Sequence, residues 1–266
     1  MKTILITGAA GGVGTRLRPY LRENYRLRLF DRIGCNDLHD NEEQIIGDIA
    51  CRETVLRACE GVDGIIHLAC AYSLSITFED TLEANYRGTL YLLDACKQYA
   101  IPRFVFASSH HAVGHHPSAG FCDDHAPVAP DGFYALSKAF GESALALYAH
   151  KIGLKGLSIR IGSAADYVVD GRRQKIWLSA ADMAQLTLIG LEHPDACGDI
   201  VYGVSACPDA FFPNTRAREL GYVPLENAQD HLAVDFVPLA EMPEAEGPAW
   251  VGGPYIPFPP ELGEKR

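Results

Sequence analysis

The chain has 266 residues, 48% of them hydrophobic and 21% charged, with a formal charge of −11. That length supports one large core with room for a small appendage. The excess of carboxylates argues against a nucleic-acid or anionic-membrane partner, and no apolar run reaches membrane-span length.

Met1-Lys2 leads straight into a strand-like segment rather than a signal peptide, so a cytoplasmic location is expected. The eight cysteines form no CxxC pair, and Cys59, Cys70 and Cys96 fall in apolar segments that read as sites of buried free thiols.

The first apolar run, Lys2–Ile6, reads as a buried strand, and Thr15–Glu23 as the helix after it. Between them lie Gly8, Gly11, Gly12, Val13 and Gly14. Glycines in a strand-to-helix turn let the backbone approach a pyrophosphate, whose charge the first helical N–H groups then meet. This context makes the spacing a dinucleotide-binding signal.

A second strand, Arg26–Phe30, ends at Asp31, whose carboxylate is placed to accept from both adenosine ribose hydroxyls and to repel a 2′-phosphate. NAD is therefore expected over NADP, although the neighbouring Arg32 carries the opposite charge. After the third strand, Gln44–Ile46, Asp48 and Ile49 are placed near the adenine. After the fourth, Gly64–Leu68, the residues Leu68, Ala69 and Ala71 are placed beneath the cofactor.

The helix Leu82–Tyr99 precedes a fifth strand, Arg103–Ala107, which ends in Ser108-Ser109. The run His110-His111-x-x-x-His115-His116 follows. It lacks a carboxylate or cysteine at ligand spacing, so no metal is expected, and it reads as substrate-lining contacts or a plain surface loop. Pro130-Asp131-Gly132 marks entry into the helix Tyr134–Lys151. Tyr134 and Lys138, four residues apart, project from one face of it. An ammonium beside a phenol favours the phenolate and suits the pair to acid–base work.

The later elements are a strand, Leu157–Ile161, a helix, Ala180–Glu192, and a seventh strand, Ile200–Val204. A short helix, Asn214–Leu220, is followed by a proline-rich tail, Glu241–Pro260, that has no regular period and is expected to pack onto the body. Alternating strands and helices imply an α/β protein with a parallel sheet covered on both faces.

Together, the glycine run, Asp31, His67-Leu68-Ala69, Asn85-Tyr86-Arg87-Gly88-Thr89, Ser108-Ser109 and Tyr134-Ala135-Leu136-Ser137-Lys138 resemble the extended short-chain dehydrogenase/reductases. The resemblance implies a doubly wound Rossmann sheet in one domain over 1–266, with 164–180 and 205–266 forming a small substrate-capping lobe. It implies Tyr134 as acid/base, Lys138 as its partner, also touching the cofactor, and Asn85 supporting the lysine through water. Ser109 or His110 would polarise the reacting oxygen, since His110 stands where many members have a third Ser or Thr. Ile161 would also line the cofactor site, and a homo-oligomer is expected.

Narrower features are similar to the uronate dehydrogenases: Ala107 to Gly114, Arg160-Ile161-Gly162-Ser163, Arg172-Arg173, Trp177-Leu178-Ser179 and Gly252-Gly253-Pro254-Tyr255. That likeness implies NAD-linked oxidation of the anomeric carbon of galacturonate or glucuronate to an aldarolactone. Ser73, His110, His111 and Ser163 would contact the sugar, Arg172 its carboxylate, and Tyr255 would form an aromatic wall. By itself, Arg172 is equally a solvated loop cation. Three other readings are a dehydrogenase for neutral aldoses or other small alcohols, a nucleotide-sugar epimerase or dehydratase, and a non-catalytic NAD sensor. The absence of Lys and Arg between Arg218 and Lys265 disfavours diphosphate binding, and retention of Tyr134 and Lys138 disfavours the sensor.

Overall fold

Short runs of Ile, Leu, Val and Phe that lack polar alternation suit strands buried on both faces. The computed structural model describes residues 1–264 apart from Leu74 and Phe121, and all seven expected strands are present in it. In chain order the elements are β1 (Thr3–Thr7), α1 (Gly12–Leu21), β2 (Arg26–Asp31), β3 (Glu42–Ile46), α2 (Arg52–Cys59) and β4 (Gly64–His67). Next come α3 (Phe78–Thr81), a π-helical turn over Leu82–Arg87, α4 (Gly88–Gln98), β5 (Arg103–Ser109), a 3-10 turn over His110–Val113 and α5 (Phe133–Ile152). The chain continues through β6 (Lys155–Ile161), β7 (Ser163–Ala164), β8 (Val168–Asp170), α6 (Gly171–Gln174), β9 (Trp177–Leu178), α7 (Ala180–Glu192) and β10 (Cys197–Gly203). The last helix is α8 (Thr215–Glu219) and the last strand β11 (Leu232–Val237).

Seven strands form one parallel sheet in the order β10-β6-β5-β4-β1-β2-β3. The chain winds outward from β1 in one direction and then the other, which is the doubly wound Rossmann arrangement. Its switch point lies between β1 and β4, so the loops after Thr7 and His67 open a crevice at the carboxyl ends of the strands. Alternation along each strand divides the core. Ile4, Ile6 and Val105 pack with Leu17, Leu21, Leu186 and Leu191 on one face. Leu5, Phe104 and Phe106 pack with Val55, Leu92 and Leu145 on the other.

A polar network joins the layers behind the crevice. The Arg160 guanidinium on β6 donates to both oxygens of Glu142 on α5, at 2.8 and 2.9 Å, and to Tyr202 Oη on β10. Ser108 Oγ on β5 donates to the same carboxylate. Burying these charges is tolerable because each finds a directed partner.

Several expectations are corrected. The region from 82 to 98 is helical, but its first six residues form a π turn rather than regular α-helix. Helix α2 has no counterpart in the sequence reading, and neither has β11, which pairs in parallel with β8. The tail is anchored by backbone hydrogen bonds, including Val251 N–H to His116 O and Gly252 N–H to Gly114 O, and contains short 3-10 turns at Glu244–Glu246 and Gly253–Tyr255. Cys59 and Cys96 are buried, whereas Cys70 is exposed, because it follows β4 into the crevice instead of facing a helix. Among the described residues no helix is long and apolar enough to cross a membrane.

Candidate active site

The crevice holds two adjoining cavities. The larger, about 700 Å³, is lined by Gly8, Gly11, Gly12, Val13, Gly14, Asp31, Arg32, Asp48, Ile49, Leu68, Ala69 and Ala71, all of them residues expected to hold the dinucleotide. Two of its glycines are required by close approach. Gly8 has φ of +72°, and a Cβ there would lie 2.6 Å from Ala69 N. A Cβ at Gly14 would lie 2.6 Å from Gly8 O, so this glycine lets α1 start directly against the turn. Gly12 instead faces the cavity, with only the Arg16 side chain near the position its Cβ would take. Asp31 accepts from Ala10 N–H and Arg32 N–H, so its carboxylate is oriented at the cavity edge. A cavity of about 700 Å³ with a bare backbone turn, a helix N-terminus and an oriented carboxylate fits a dinucleotide.

The second cavity, about 620 Å³, shares Val13, Leu68, Cys70, Tyr72 and Ala164 with the first. It brings together Ser109, His110, His111, Tyr134, Lys138, Ile161, Ser163, Arg172 and Tyr255. Ser73 is not among them; it lines a small separate cavity on another side of Tyr134 and Tyr255.

Helix α5 presents Tyr134 and Lys138 because Gly141 lets it press against β5; a Cβ there would lie 2.1 Å from the Phe106 ring. Lys138 is buried, donates from Nζ to Ala107 O at 2.7 Å, and lies 5.5 Å from the Tyr134 ring centre. The Tyr134 hydroxyl is hydrogen-bonded to Ser109. Burial pushes this phenol well above its ordinary range, Cys70 nearby adds to the rise, and the Ser109 bond opposes it. The net direction is opposite to that expected from an adjacent ammonium, because desolvation of the phenolate dominates.

Asn85 occupies the π turn, a conformation frequent at functional sites. Its Oδ1 accepts from Ala71 N–H at 2.6 Å, and Nδ2 donates to Ala71 O and Ser137 Oγ. No hydrogen bond links it directly to Lys138 among the described residues; it clamps the loop after β4 to α5.

The wall opposite Tyr134 comes from the turn after β5. His110 Nδ1 donates to Ile161 O at 3.0 Å, since a carbonyl can only accept, and its buried Nε2 has no partner among the described residues. His111 Nδ1 and Asp131 Oδ2 share a hydrogen bond of 2.6 Å. Burial holds both imidazoles neutral: His110 lies well below its ordinary value and His111 falls to about 3. The two rings lie 4.1 Å apart, with Tyr255 4.1 Å from His111 on the tail side. His115 and His116 turn away and bond to Pro130 O and Pro127 O. Among the described residues no group of three His, Cys, Asp or Glu gathers at metal-binding spacing.

Arg172 is 4% exposed. Its Nη1 donates to Val251 O at 2.8 Å, its Nε is unpaired among the described residues, and a Cβ on Gly253 would lie 2.5 Å from the guanidinium carbon. Burial and the neighbouring Arg173 lower it to about 10, so it remains cationic at neutral pH. Arg173 by contrast is paired with Asp170.

Sequence reasoning missed three residues here. Asp131 was visible only as part of a helix-entry signal. Tyr72 follows β4 without any motif, yet its hydroxyl is bonded by Tyr255 and its ring meets Tyr134 edge-on at 5.0 Å. Cys70 lines both cavities.

The sequence pattern of the NAD dependent epimerase/dehydratase family matches residues 4–165. A uronate dehydrogenase of Pseudomonas syringae pv. tomato is 36% identical, covering 98% of this chain and 95% of its own length. An NAD-dependent glucose-6-phosphate dehydrogenase of Haloferax volcanii is 30% identical over 85% of this chain and 94% of its own. The solved structure of a uronate dehydrogenase variant from Agrobacterium tumefaciens complexed with NAD superposes with a TM-score of 0.88 at 31% identity, covering 97% of this chain and 98% of that one. The matching glycine turn, doubly wound sheet and tyrosine–lysine helix, with these likenesses, show that the chain belongs to the NAD dependent epimerase/dehydratase family of extended short-chain dehydrogenase/reductases.

Proposed function

We propose that this enzyme oxidises the anomeric carbon of a free uronate, such as galacturonate or glucuronate, to its aldarolactone with NAD as acceptor. One observation carries the substrate class: Arg172, a buried cation with no carboxylate partner among the described residues, lines the same cavity as Tyr134. A desolvated, unpaired guanidinium is costly unless an anion completes it, and its planar fork suits a carboxylate. The uronate dehydrogenases among the relatives support the same reading.

In this reading the carboxylate rests on Arg172, and the sugar hydroxyls donate to His110 Nε2 and His111 Nε2. Ser163 adds a hydroxyl contact and Tyr255 an apolar wall. Ser109 and Tyr134 hold the anomeric hydroxyl, and Tyr134 takes its proton as the carbonyl forms. Lys138, with its remaining N–H donors, supplies the positive charge that favours the phenolate form of Tyr134, which takes the proton and becomes the neutral phenol. When bound, NAD supplies the hydride acceptor at the nicotinamide ring. Gly8, Gly11, Gly12 and Gly14 would pass its pyrophosphate close to the α1 N-terminus, and Asp31 would accept from the adenosine ribose. The segments 164–180 and 205–264 cover the substrate side.

The test is a panel of uronates, neutral aldoses and hexose 6-phosphates assayed with NAD and NADP by absorbance. Uronates with NAD are expected to be preferred. Arg172→Ala should lower kcat/KM for them by about 10- to 100-fold, the range for a hydrogen bond to a charged group, with little change for neutral sugars. Equal wild-type rates on uronates and neutral sugars would remove the carboxylate assignment.

A further inference from the structure

Asp131 plays no part in the chemistry above, yet the fold is built tightly around it. The residue is 5% exposed at the entrance to α5. A Cβ on Gly114 would lie 2.0 Å from Asp131 Oδ2, and one on Gly252 would lie 2.1 Å from the same atom. These glycines come from the turn after β5 and from the tail, and Gly252 N–H donates to Gly114 O. Neither has a positive φ. Their smallness therefore serves packing, leaving a slot of carboxylate width. The slot brings Asp131 Oδ2 to His111 Nδ1 at 2.6 Å, while Asp131 Oδ1 has no partner among the described residues.

The consequence lies at the far side of the imidazole. A carboxyl oxygen that takes the Nδ1 hydrogen leaves Nε2 of the neutral ring with a lone pair. His110 is held in the same tautomer by Ile161 O, and once Asp131, whose carboxyl burial pushes up to about 7, is ionised, the two neighbouring rings both present acceptors at their Nε2 atoms. Without Asp131 the His111 ring is free to rotate or to carry its hydrogen on Nε2, and an acceptor becomes a donor. The groups that face the carboxyl are His110, His111, His115, Arg172 and Tyr255; none of these except His111 is hydrogen-bonded to it.

We propose that Asp131 is a positioning residue for substrate recognition, fixing His111 as a hydroxyl-accepting group through the slot formed by Gly114 and Gly252. The proposal rests on the reading of this cavity as the site of a polyhydroxylated substrate. It selects sugars with a free hydroxyl facing His111 and rejects deoxy analogues at that position.

Asp131→Leu removes the acceptor at similar volume, and Asp131→Asn retains a carbonyl oxygen. With saturating NAD, Asp131→Leu should raise KM for the sugar by about 10- to 100-fold with a smaller fall in kcat, and Asp131→Asn should recover most of the loss. Equal impairment of both variants, or a Leu variant with wild-type KM, would overturn the proposal. Should Asp131→Leu fail to fold, ¹⁵N spectra of histidine-labelled wild-type protein decide the point. His111 is expected to carry its hydrogen on Nδ1, and a hydrogen on Nε2 would overturn the assignment. The parent reading fails separately. If the wild type prefers neutral sugars, the carboxylate site is wrong, while the contrast between Leu and Asn, measured on the preferred sugar, still tests Asp131.

Discussion

Tyr134 and Lys138 were readable because an i, i+4 spacing on a helix places two side chains on one face whatever the rest of the molecule does. Their surroundings were not. Burial raises the phenol, and charge repulsion from Cys70, Tyr72 and Tyr255, which reach it from the loop after β4 and from the tail, adds to the rise. Such a phenol works as a base only when positive charge is close, which is the work assigned to Lys138. Tyr134→Phe should therefore reduce kcat by roughly 10²- to 10⁴-fold, the usual contribution of a positioned acid or base. Dinucleotide affinity, followed by fluorescence titration, should be intact, and unaltered turnover would refute the role. Arg172 is the opposite case. Its sequence context is equally that of a solvated loop, and the role proposed for it depends on burial beneath Val251 and Gly253.

At the scale of elements, the glycine turn separates fold from binding. Gly8→Ala sets a Cβ against Ala69 backbone at positive φ, and Gly14→Ala sets one against Gly8 O and Ala9 O. Each should cost about 1–3 kcal/mol and lower Tm visibly, since backbone cannot yield as a side-chain tip can. Gly12→Ala meets only the flexible Arg16 side chain, so Tm should hold while dinucleotide binding weakens, because the new methyl group projects into the cavity. Calorimetry beside NAD titration checks both expectations. The elements that sequence patterning missed have short or weak periods. Helix α2 has only three buried residues, Val55, Ala58 and Cys59, and β11 is mostly half-buried or exposed. The π turn is invisible in the pattern because Asn85 and its neighbours remain helical; what changes is the hydrogen-bond register that turns Asn85 toward Ala71 and Ser137.

For the molecule as a whole, ion pairs fasten the periphery of the sheet to its helices. Arg18 on α1 donates to both oxygens of Glu42 on β3, with both side chains nearly inaccessible. Burial alone would raise the Glu42 carboxyl, but the Arg18 bonds and the His39 N–H hold it below its ordinary value of 4.5. A depressed acid contributes stability that is complete above its unfolded pKa and disappears as pH falls through the folded one. Thermal melts should thus show stability falling on acidification below about pH 4.5. Glu42→Gln should lose about 3–5 kcal/mol at neutral pH by stranding Arg18, and should show a shallower acid dependence. A variant with wild-type stability and an unchanged acid limb would show that the pair contributes nothing.

Local spacing alone determined the order of strands and main helices, the glycine turn, Asp31 at the end of β2 and the tyrosine–lysine pair. Each of these is written in a short continuous apolar run, in a helical period of 3.6 residues or in the chemistry of a single turn. Tertiary structure alone decided which cations are buried, which groups the imidazoles meet, and that the tail completes the cavity beside Tyr134. Those properties depend on partners far apart in the chain: Arg172 with Val251, 79 residues away, and Tyr72 with Tyr255, 183 away. Burial and hydrogen-bond partnership arise only when packing brings such segments together, and no local period records them.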